Sequence, residues 1–338
     1  MGGTARRRAK RWFGALATLL VLSLIVFAVM HRQEIQDRFR AIGYTPSASV
    51  VATLHDLHLT EEGERIFLAT RPTIDGSQRF NEQCVGVDHT DEGHVLGCYT
   101  GNRIHLFEVS DERVKGIVGV TAGHELLHAV FARLGEGERS ELSAKLREAY
   151  EQLTENNPDL EERMSLYQHL GDSAYANELH SILGTEVRDL PEWLERHYAR
   201  WFADREALLD AFDDYHSVFV DLQNQAQSLE RTMRTLRLDV EERKADYDAA
   251  VEKFNADAAA FAERNDRLEF SDDPRAFERI RGELADRRSE LQATMAGLEA
   301  DIDRYNELRE KLSALSETSS ELDQQLNSEL APVTTRPS

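Results

Sequence analysis

From Phe212 onward, apolar residues return at three- and four-residue intervals for about a hundred positions, and that repeat leaves the C-terminal part of the chain one architecture. The first seam runs through Phe212, Tyr215, Phe219, Leu222, Ala226, Leu229, Met233, Leu236 and Val240, and continues through Tyr247, Ala250, Phe254 and Phe261. A second holds Phe277, Ile280, Leu284, Leu291, Leu298, Tyr305, Leu308, Leu312, Leu315 and Leu322. A repeat averaging 3.5 residues keeps one stripe of a helix turned toward a partner helix. Between the seams Ser271-Asp272-Asp273-Pro274 interrupts one helix and starts the next. Two helices of roughly 55 residues, each about 80 Å long, are therefore expected to fold back as an antiparallel coiled-coil hairpin over 205–328. Pairing between two copies of the chain, or with another protein, is the alternative. Arg243, Asp257, Arg287 and Asp301 interrupt the seams and should weaken them locally. Residues 329–338, with Pro332 and Pro337, are expected to form a disordered tail.

The preceding region alternates between strand and helix patterns. Cys84-Val85-Gly86-Val87 and His94-Val95-Leu96-Gly97-Cys98 read as two short strands joined by a turn around Asp91, which sets the two cysteines opposite each other for a cross-strand disulfide. Residues 103–109, β-branched and aromatic, read as a further strand. A largely apolar helix follows over 114–134, then polar helices over 140–153, 160–170, 173–183 and 191–202, the last with Pro191 in its first turn. Strands followed by a run of helices predict an α+β domain over 50–202, with a small antiparallel sheet. The 71–83 segment, with Pro72 and Gly76, reads as a loop.

Charge limits the partners. The net charge is −22 although Arg6, Arg7, Arg8, Lys10 and Arg11 crowd the N-terminus, so the body of the chain repels phosphate backbones and nucleic-acid binding is excluded. The basic segment 1–11 precedes 19 uncharged residues, Trp12 to Met30, long enough to cross about 30 Å of hydrocarbon. The expectation is a single transmembrane helix over 12–30 in the cell membrane, with a cytoplasmic N-terminus and the bulk of the chain outside, where Cys84 and Cys98 would be oxidised.

On the apolar helix lies His124-Glu125-Leu126-Leu127-His128. Residues four apart share a helix face, so both imidazoles reach one metal ion while Glu125 stands beside it. This is the H-E-x-x-H pattern of zinc hydrolases. A catalytic zinc takes three protein ligands and leaves one position open. The segment from Tyr175 to Glu186 offers Glu178, His180 and Glu186 as the third, with Glu178 preferred. Tyr175, His197 and Tyr198 are candidate donors to an oxyanion. His55, His58, His89, His94 and His105 are expected at the surface or in the hairpin, and the heptad aromatics in the coiled-coil core.

A His-Glu-x-x-His helix behind a strand layer, followed about 50 residues later by Asn177-Glu178 on a helix, resembles the gluzincin zinc metallopeptidases, especially their compact members, across residues 103–202. The resemblance implies Zn2+ held by His124, His128 and Glu178, with Glu125 as general base. It also implies a peptide or protein substrate that pairs with strand 103–109. In one respect the chain departs from the pattern: Ile182 stands where many gluzincins carry an Asp that orients a zinc-bound His. His180 or Glu186 would then supply that support, or Glu186 would itself be the ligand. The competing expectation is a non-enzymatic coiled-coil adaptor on a degenerate scaffold of the same kind.

Overall fold

The computed structural model describes residues 22, 23, 26–28, 31–85 and 95–329. They divide between two compact units, one formed by the chain up to Val218 together with the residues from Leu322 on, the other by Phe219–Glu321.

Helices dominate the first unit. It opens with α1 (Arg32–Ile42), α2 (Ala48–Asp56) and α3 (Glu61–Ala69), the last two started by Ser47 and Thr60 side chains that accept from backbone N–H groups three residues on. Strand β1 (Thr73–Asp75) and helix α4 (Ser77–Gln83) follow, then β2 (Gly97–Thr100) and β3 (Arg103–Phe107). The expected fold class is corrected here: the sheet is a minor, three-stranded, mixed element of order β1-β3-β2 in a mainly helical unit. β1 runs parallel to β3, with Thr73 opposite His105, and β2 runs antiparallel to it, with Cys98 opposite His105. The hairpin turn is Gly101-Asn102, both residues at positive φ, as a two-residue turn between twisted strands requires. The turn expected near Asp91 lies outside the described residues. Cys84 does bond to Cys98, but from the C-terminal cap of α4 rather than from a strand. Phe80, Cys84, Cys98 and Phe107 make a small apolar cluster around that bond.

The main core forms where α5 (Ile117–Arg133) crosses the sheet and is in turn covered by later helices. These are α6 (Glu136–Thr154), α7 (Pro158–Ser165), α8 (Asp172–Glu186) and α9 (Glu192–Tyr198). α5 presents Leu126, Leu127, Ala129 and Val130 to this core, and α8 answers with Ala176, Leu179, Ile182 and Leu183. α5 and α8 approach closely at Gly184, where a Cβ would stand 2.3 Å from Leu127 Cδ1 and 2.8 Å from Tyr198. A larger residue there requires the Leu127 and Tyr198 side chains, or the helices that carry them, to shift.

The long helices are α10 (Arg205–Asp266) and α11 (Pro274–Leu326), broken where the sequence predicts. In the second unit they pair within one chain. Arg243 bonds Asp301 and Asp239, Arg287 bonds Asp257, and the rings of Phe261, Phe270 and Phe277 pack at tilted and edge-on angles at the bend. The four polar seam residues are thus paired with one another across the hairpin. The start of α10 belongs to the first unit, where Leu208 is core and Phe212 and Tyr215 pack against it, so these two aromatics do not serve the coiled coil.

The single-pass topology is not supported. Among the described residues no helix is long and apolar enough to cross a membrane, and most of the expected span over 12–30 lies outside them.

Candidate metal centre

Two helices supply the centre. His124 and His128, one turn apart on α5, hold their rings nearly perpendicular with centroids 4.6 Å apart. Glu178 meets them from α8, with Oε2 3.4 Å from His124 Nε2 and Oε1 3.5 Å from His128 Nε2. These separations exceed a normal hydrogen bond. Each is close to the edge of a tetrahedron whose centre is bonded to N and O at about 2.0–2.1 Å, about 3.3–3.4 Å, although the two are measured to different oxygens of the carboxylate. One donor atom from each of the three residues lies within 4.8 Å of the others, a group that could hold a metal ion.

The electrostatics suit a cation. Burial resists charge on Glu178, but His128, His124 and Arg163 around it bring its carboxyl down to about 2. Burial also works against a charged His124, yet the adjacent Glu178 carboxylate, with the charges of Glu125 and Glu186 beyond, carries its pKa upward overall. The carboxylate is therefore ionised and, without a metal, favours a proton on the His124 imidazole that a metal would displace.

The support for His128 comes from a serine that nothing in the sequence distinguishes. Ser181 Oγ lies 3.1 Å from His128 Nδ1, fully buried, and is one turn beyond Glu178 on the same face of α8. It fixes the ring so that Nε2 faces Glu178. The alternatives have other partners: His180 Nε2 turns to His197 Nε2 at 2.9 Å, and Glu186 lies 3.6 Å from Arg163 Nε. Burial, with the imidazoles of His197, His128 and His124, depresses His180, and burial with Arg200 lowers His197 to about 4, so this pair is neutral.

A cleft of about 370 Å³ opens over the three residues, lined also by Glu125, Asn177, Arg163, Glu186 and Tyr215 and walled on one side by β2. Tyr175, His197 and Tyr198 do not line it: the Tyr198 hydroxyl donates to the His180 carbonyl, and Tyr175 stands edge-on to Tyr150. Tyr215 lines it instead, its phenol pushed up by burial and by Glu186 and so held protonated. Its seam position in the sequence concealed this. Strand 103–109 cannot accept a further strand, because β3 is paired on both sides. β2 is one of the sheet's two edges among the described residues, β1 being the other, and it passes so near the motif that a Cβ on Gly97 would lie 2.8 Å from Glu125 Cγ and 2.9 Å from its Oε1. His105, expected near the surface, is buried on β3 with Nδ1 2.9 Å from Thr73 Oγ1.

Comparison of the chain with protein-family models, with curated proteins and with solved structures finds no match.

Proposed function

We propose that the chain is a zinc-dependent peptidase of gluzincin type, cleaving extended peptides laid along β2. The observation that carries the reading is the convergence of His124, His128 and Glu178, one donor atom of each within 4.8 Å of the others, in an open cleft with Glu125 beside them. Two imidazoles and one carboxylate favour zinc over harder cations, which prefer all-oxygen sites. When bound there, zinc supplies a Lewis acid that acidifies water toward a pKa of about 7 and polarises a carbonyl.

The chain's own groups account for the rest. Water adds across the peptide C–N bond: its oxygen joins the carbonyl carbon, and a proton passes by way of the Glu125 carboxylate to the departing amine nitrogen. Ser181 keeps His128 oriented, and Tyr215, protonated at ordinary pH, is a donor within the cleft. The bare Gly97 lets the backbone of β2 run against Glu125, so an extended peptide adding to that edge would bring its carbonyl groups past the base.

Zinc content and hydrolysis of a broad peptide library, for wild type and Glu125→Gln, test the reading. One zinc per chain is expected in both, with cleavage falling about 10²–10⁴-fold in Glu125→Gln. A wild type without stoichiometric zinc, or cleavage indifferent to Glu125→Gln, overturns it.

A further inference from the structure

We propose that Asp37, on α1 and remote in sequence from the motif, is a positioning residue for the cleft, acting through Arg133 on Tyr99 and the edge strand β2. The inference rests on the peptidase reading for its consequence, and on the geometry below for its existence.

Arg133 ends the motif helix α5 and uses every donor of its guanidinium. Nε and Nη2 each reach Asp37 at 2.9 Å, a two-pronged pair. Nη2 also donates to Asn102 Oδ1 at 3.0 Å, and Nη1 donates to the Ala129 carbonyl at 2.8 Å and to the Tyr99 hydroxyl at 3.3 Å. The Tyr99 hydroxyl in turn donates to Asn102 Oδ1 at 2.8 Å. Arg40, from the same face of α1, donates to the Asn102 carbonyl at 3.1 Å and to the Ala69 carbonyl at 3.1 Å. The pair is almost sealed from water, with the Arg133 side chain 9% and the Asp37 side chain 4% exposed.

Tyr99 lines the cleft, and it shares a strand face with Gly97, the residue against Glu125. Cys98, between them, points the other way into its disulfide. β2 is therefore tied on one face by Cys84 and on the other, through Tyr99, to a guanidinium whose orientation Asp37 sets. An edge strand that must offer backbone groups to a substrate gains from such ties, because its unpaired side lacks a ladder to hold it. Asp37 touches no reacting atom. Its effect falls on how well a peptide seats along β2.

The test compares wild type, Asp37→Asn, Tyr99→Phe and the double variant in the full chain, with zinc content, KM and kcat on peptides of increasing length, and backbone hydrogen exchange. Tyr99→Phe removes one hydroxyl and guards against misfolding of the Asp37 variant. Expected for Asp37→Asn are unchanged zinc, kcat within about twofold, and KM raised about tenfold for long peptides but not for the shortest. Amide exchange at Gly97–Thr100 should quicken about tenfold while that of α8 does not. In the Tyr99→Phe background, Asp37→Asn should add little to either readout. Equal losses for short and long peptides, additive effects, or unchanged exchange at β2 overturn the proposal. Exchange needs no turnover, so a wild type that cleaves nothing defeats the peptidase reading while the coupling of Asp37 to β2 is still decided.

Discussion

The same chemical pair, an arginine with an aspartate, occurs in both units and does different work in each. In the first unit Arg133 and Asp37 are nearly withdrawn from water and join residues 96 positions apart. In the second, Arg243 and Asp301 bridge the hairpin with side chains 37% and 26% exposed. A buried pair contributes geometry because neither partner can be lost without stranding the other's charge. An exposed pair keeps its hydration as an alternative, so it marks register more than it adds stability.

The largest expected difference between the units follows from that contrast. Asp37→Ala leaves Arg133 charged and buried, and should lower the stability of the first unit by about 3–5 kcal/mol, read from urea denaturation. A loss no larger than that of a surface substitution would break the comparison. Zinc gives the next effect. At a free concentration of 100 times its Kd it should stabilise the first unit by about 2.7 kcal/mol and leave the hairpin transition where it was. Calorimetry with and without chelator measures both, and a shift of the hairpin transition alone would place the metal elsewhere.

Acid should separate the units as well. His180 and His197 are held neutral in the fold and bind protons more readily once unfolded, at the usual value near 6.5. Unfolding then takes up protons, and the pair's contribution, complete above about 6.5, drains away as pH falls toward the folded value of about 4 for His197. With His197 partly exposed to screening, its share is of order 1–2 kcal/mol. His197→Gln should flatten the slope of stability between pH 6.5 and 4. An unaltered slope would assign the acid sensitivity to other groups.

What could be read from the sequence divides along the same line. Periodic features were legible: the heptad seams, the break at Pro274, and the helix that carries His124 and His128. The helix 172–186 offers Glu178, His180 and Glu186 alike, and only the resemblance favours Glu178, the residue that the structure groups with His124 and His128. Ser181, one turn beyond Glu178 on the same face, carries no signal because serine is an ordinary helix residue. The partner of Arg133, the closeness of Gly97 to Glu125 and the entry of Tyr215 into the cleft had no local signature. Each depends on which distant elements meet. Three strands of three to five residues carry too little pattern to announce their order, so nothing in the sequence opposes the pairing of a substrate with 103–109 that the resemblance implies. The two-residue turn Gly101-Asn102 signals the β2–β3 hairpin but leaves the other side of β3, which β1 occupies, without a signal.

The smallest effect is the most direct check on the hairpin. Arg243 and Asp301 interrupt apolar seams, and taken singly each should weaken the coiled coil. Because they face each other, removing one should leave the denaturation midpoint of the hairpin within experimental error, since the survivor is free to turn to solvent. Reversing one charge, Asp301→Arg, sets like charges against each other at a fixed register and should lower that midpoint detectably. Reversing both, Arg243→Asp with Asp301→Arg, should recover it. Recovery requires that the two positions meet within the folded hairpin, whereas an additive loss in the double variant would mean that the helices pair in another register or with another chain.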